Sequence, residues 1–82
     1  MNHSRATVEE ARRLLSRLER MSVDSAWARR ASGVRGGMLK LFSELDSGCV
    51  LDANRQIRLD ELSEHAYRLL VRAARELRGD EP

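Results

Sequence analysis

Apolar residues recur every third or fourth position along three separate stretches of this chain, a spacing that lays them on one side of a helix. The stretches are Val8, Ala11, Leu15 and Leu18; then Trp27, Ala31, Val34, Met38, Leu41 and Leu45; then Leu62, Ala66, Leu69 and Ala73. None alternates apolar with polar residues in the two-residue period of a half-buried strand. Three amphipathic helices can shield those stripes only against one another or against a second copy. The pattern therefore predicts an all-α fold: a small three-helix bundle, or four helices if the second breaks at Gly36-Gly37. The first two helices would form an antiparallel hairpin, with the C-terminal helix packed across both.

Local signals set the expected boundaries. Thr7-Val-Glu-Glu10 fits a capping box, so the first helix should start at Thr7 and run to about Met21, after a frayed lead-in over 1–6. Asp24 or Ser25 is placed to cap the second, which should end at Ser47-Gly48. Residues 49–59 contain the turn-like Asp52-Ala-Asn54-Arg55 between two short apolar pieces. They are read as an irregular or extended connection, with Asp60 capping a last helix that runs from about Glu61 to Arg78. Gly79 would stop it, leaving 79–82 as a tail. The whole chain, 1–82, is one helical domain, since 82 residues leave no room for a second core.

Three glycines interrupt the second stripe. Inside a helix each costs on the order of 1 kcal/mol relative to Ala, so Gly33, Gly36 and Gly37 call for a reason: a close approach by another helix, or a break. Arg29, Arg30, Arg35 and Lys40 surround them, but a phosphate loop needs a preceding strand and a closing Lys-Ser or Lys-Thr, which this segment lacks. The last helix carries apolar residues on a second side, at Tyr67, Val71 and Ala74, beside the first side of Leu62, Ala66, Leu69, Leu70, Ala73 and Leu77. A surface helix that is apolar on two sides is either central or one half of an oligomer contact. Gly33, Gly37, Tyr67, Leu70, Val71 and Ala74 are accordingly the expected interaction surface.

Charge supplies a second function class. The formal net charge is only +2, but residues 1–40 hold nine basic and four acidic side chains, and residues 41–82 hold six and nine. Fourteen of the fifteen cations are Arg, whose planar fork suits carboxylate and phosphate, although a GC-rich genome gives the same bias. Arg12, Arg13, Arg17, Arg20, Arg29 and Arg30 are the candidate contacts for a nucleic-acid backbone. With Trp27, Phe42 and Tyr67 as its only aromatics, the chain offers no base-stacking platform.

Metal and catalytic readings find little support. Asp52 onward faintly resembles a calcium loop, but Ile57 stands where its glycine belongs and Ser63 where its last carboxylate belongs. His3, Cys49 and His65 lack any metal-ligand spacing. No nucleophile–base set is visible, and no cofactor is expected. The lone Cys49 and the missing apolar leader point to a cytoplasmic protein without a membrane span. The expectation is a non-enzymatic helical protein–protein interaction module, such as a small regulator or adaptor. Its expected partners are a second copy, as a homodimer, and another protein, with nucleic-acid binding through the Arg-rich N-terminal half as the alternative.

Overall fold

The computed structural model describes residues 6–20 and 26–77. They form three helices: α1 over Val8–Glu19, α2 over Ala26–Asp46 and α3 over Ala53–Leu77. Thr7 begins α1 with the expected capping box, its hydroxyl accepting from the Glu10 amide at 3.0 Å while the Glu10 carboxylate accepts from the Thr7 amide at 3.1 Å. The caps expected at Asp24 or Ser25, the stop at Gly79 and residues 1–5 and 79–82 lie outside the described residues.

α2 runs unbroken through its glycines, so the bundle has three helices rather than four. It stops where Gly48 takes a φ of +102°, a left-handed conformation that glycine adopts without a Cβ penalty. The Cys49 amide then reaches back to the Glu44 carbonyl at 3.0 Å and the Gly48 amide to that of Leu45 at 3.1 Å, satisfying carbonyls that the helix end leaves open.

α3 starts earlier than the sequence suggested. Helix covers 53–59, and the connection is confined to 47–52. The cap is Asp52 rather than Asp60: its carboxylate accepts from the Arg55 amide at 2.9 Å, and its carbonyl from the Gln56 amide at 2.8 Å. Asp60, well inside the helix, instead accepts from the Ala6 amide and from Gln56 Nε2, both at 2.9 Å. Gln56 Nε2 also donates to the Ala6 carbonyl at 2.9 Å, so Ala6 is tied to α3 rather than frayed.

Cross-helix contacts fix the topology. Arg12 meets Asp46 at 3.3 Å and Arg35 meets Glu19 at 3.7 Å, so α1 and α2 are antiparallel. Arg55 meets Glu44 at 2.9 Å while Arg72 lies 5.7 Å from the Trp27 ring, so α2 and α3 are antiparallel as well. The predicted stripes meet in one core of Ala11, Leu15, Leu18, Ala31, Val34, Met38, Leu41, Ala66 and Leu69, with Ala73 also buried. Phe42 and Leu59 complete it, the latter supplied by the part of α3 that the sequence reading left irregular. Ser63 is buried too, and its hydroxyl has no hydrogen-bond partner among the described residues.

At the α2–α3 corner, Glu44 accepts from Arg55 Nε at 2.9 Å and from Arg58 Nη1 at 3.4 Å, while Arg55 Nη1 also reaches the Val50 carbonyl and Asp52. The Arg55 hydrogen bond is the main cause holding the Glu44 carboxyl below its ordinary 4.5, against partial desolvation that pushes it up. A depressed folded-state pKa means that the stability from this clamp is complete above the ordinary carboxylate range and disappears as pH falls through the folded value. The urea midpoint should therefore drop between about pH 5 and about pH 3, and drop less in Glu44→Gln.

Candidate functional site

The interaction surface expected from sequence does not form one patch. Gly33 and Gly36 are exposed, and a Cβ at either would meet nothing within 4 Å. Gly37 alone is a close approach: a Cβ there would stand 2.9 Å from Leu62 Cδ2 on α3. The α2 glycines therefore pack no partner helix except at that point. Leu70 packs against the core, which takes it out of the outer surface. Tyr67 and Ala74 are exposed and Val71 is half-buried. Tyr67 lies five residues beyond Leu62, about 140° further round α3, on a side turned away from the glycines of α2.

What does form on α3 is a longer stripe. Ala53, Ile57, Asp60, Glu64, Tyr67, Val71 and Ala74 are spaced alternately four and three apart, the repeat of a coiled-coil seam. None of the seven is fully buried, and Ile57 and Tyr67 are 54% and 62% exposed. The stripe runs along almost the whole of the 25-residue helix, opposite the side that fills the core. Its N-terminal members, Ala53 and Ile57, were missed because 49–59 was read as non-helical. The four-three spacing was the sequence signal that could have found them. Its two acids are already engaged. Asp60 is tied to Ala6 and Gln56, and Glu64 pairs with Arg68 at 2.7 Å on the solvent side.

The Arg residues are regrouped as well. Arg12 is drawn to the Asp46 end, where its guanidinium also lies 4.5 Å from the Phe42 ring. Arg13 stands exposed in the same half of α1. The other four candidates fall at the opposite end of the bundle: Arg17 and Arg20 late in α1, and Arg29 and Arg30 early in α2. Because α3 returns antiparallel to α2, Arg68, Arg72 and Arg75 join them, a contribution hidden in the net-acidic half of the sequence. Arg30 and Arg72 both lie against Trp27, at 5.1 and 5.7 Å from the ring centroid.

Charge is thus sorted by bundle end rather than by chain half. Among the described residues, 14–20, 26–36 and 66–75 carry eight Arg against Glu19, which pairs with Arg35. Residues 6–13 and 37–65 carry five basic and eight acidic side chains, while Glu76, next along α3, belongs by position to the basic end. By sequence alone, 14–36 together with 66–82 hold nine basic and five acidic residues, and the remainder six and eight, so the polarity keeps its sign over the whole chain.

Glu61 and His65 are exposed on α3, and Cys49 is exposed in the α2–α3 connection. Among the described residues no group of three His, Cys, Asp or Glu could hold a metal ion, and no helix is long and apolar enough to cross a membrane. No family model, curated protein or solved structure matches this chain.

Proposed function

We propose that the protein is a non-enzymatic helical interaction module that works as a homodimer, its α3 helices packed against each other antiparallel. The observation that carries this reading is the seven-residue outer stripe of α3. It has the spacing of a coiled-coil seam, and within a single chain it leaves Ile57, Tyr67 and Ala74 exposed and Val71 half-buried.

Charge selects the partner and its direction. With Glu64 at the midpoint, an antiparallel second copy brings Ile57 opposite Val71 of the partner subunit and sets Ala53 at the level of the partner's Ala74 and the partner's Arg75. Arg68 falls opposite Glu61 of the partner subunit, and Arg75 reaches the Asp52 end. Basic ends then meet acidic ends. A parallel pair would instead align Asp60 with Asp60 and lay the two basic ends side by side. The one like-charge contact left in the antiparallel pair, Glu64 with its twin, is moderated by the Arg68 already bonded to each. A small domain with a limited core also gains stability from such pairing.

Light scattering on the purified chain at micromolar concentration should give twice the 9.4 kDa chain mass. Tyr67→Asp with Ala74→Asp should give single chains of unchanged helicity, because both positions are exposed in the bundle. A 9.4 kDa species for the unaltered protein would remove the reading.

A further inference from the structure

We infer that the basic end of the bundle is a binding site for the phosphate backbone of duplex nucleic acid, centred on Arg29, Arg30 and Arg72 around Trp27. The inference stands on the charge of that end, independently of the α3 pairing. Two guanidiniums lie within 5.1 and 5.7 Å of one indole ring, brought together from α2 and α3. Arg29 is exposed beside them on α2, and Arg20 and Arg17 line the end of α1. Among the described side chains the single carboxylate of that half, Glu19, is already paired with Arg35. Such an accumulation repels itself, and a polyanion bridging the arginines relieves that repulsion.

The chemistry favours a nucleic-acid backbone over a lipid surface. Arg forks match phosphate oxygens. Of the large exposed apolar residues, Leu39, Val50 and Ile57 lie in the acidic half, and Tyr67 belongs to the α3 outer stripe. Among the described residues the basic end therefore presents no large exposed apolar side chain besides Tyr67 to enter a membrane. Trp27 is partly buried and has both arginines against its ring, so it is not offered as a platform for base stacking. Contacts confined to phosphates carry no direct sequence readout, so binding would be independent of sequence and steeply dependent on salt.

The test is fluorescence anisotropy with a labelled random duplex of about 20 base pairs, titrated over a series of salt concentrations. Binding at low salt in roughly the micromolar range is expected, with log affinity falling against log salt at a slope of about −3 to −5. Replacing Arg29, Arg30 and Arg72 together by Gln should cut affinity at least about tenfold and flatten the slope by about 3. A charge-matched triple, Arg12, Arg13 and Lys40 to Gln, should keep most of the binding. Circular dichroism checks both folds; the single Arg29→Glu change, at an exposed position, should weaken binding in the same direction if the first triple unfolds. Equal losses in the two triples, no duplex binding at low salt, or binding to anionic vesicles but not to the duplex would each overturn the site.

Discussion

Leu59→Ala is expected to cost about 3 kcal/mol of folding stability, the usual loss when a fully buried Leu leaves a cavity. Leu59 is 0% exposed and belongs to the single hydrophobic core, yet it sits in the segment that turn-like residues had marked as a connection. In an 82-residue domain that loss is a large share of the total and should lower the melting temperature by roughly 12–24 °C. Val50→Ala, at a position 73% exposed in the α2–α3 connection, should stay within about 0.5 kcal/mol. Urea melts of the two variants decide the matter. Similar small effects would mean that α3 begins near Asp60 and that Leu59 does not reach the core.

The opposite sign is expected for Gly33→Ala combined with Gly36→Ala. Both positions are helical and exposed, and an added methyl meets nothing within 4 Å, so each change should recover most of the glycine penalty. Together they should add about 1.5 kcal/mol and raise the melting temperature by roughly 6–12 °C. Gly37→Ala should gain less, because the new methyl must push aside the flexible tip of Leu62. Destabilisation by the Gly33 and Gly36 changes would show that the outer face of α2 is covered. Nothing in the bundle itself explains why those two positions are glycine.

The three stripes were legible in sequence because helical periodicity survives any arrangement of the helices around the core. So was the Thr7 cap, a purely local motif. The start of α3 was not, since Asp52-Ala-Asn54-Arg55 serves equally as a turn or as a cap with its first helical turn. What decided it was distant. Arg55 finds Glu44 eleven positions back, and Leu59 finds the core. Reading that stretch as irregular hid the first members of the α3 outer stripe, Ala53 and Ile57. The glycine strip and Tyr67 were grouped by residue type alone, and the register of α2 on α3 put them on different sides. Charge by chain half pointed to an Arg-rich N-terminal region. The fold moves Arg12 away from it and brings Arg68, Arg72 and Arg75 to it.

Cys49 offers the most direct check on the pairing of two copies through α3. It is the single cysteine of the chain, is exposed, and lies just before the N-terminus of α3, so a spin label placed there marks one end of the bundle. Antiparallel α3 helices put the two labels of a dimer at opposite ends, about 40 Å apart at 1.5 Å per helical residue. A dipolar distance distribution centred near that value is the expected result. Labels close together would mean a parallel pair, no inter-label coupling would mean a lone chain, and either contradicts the pairing.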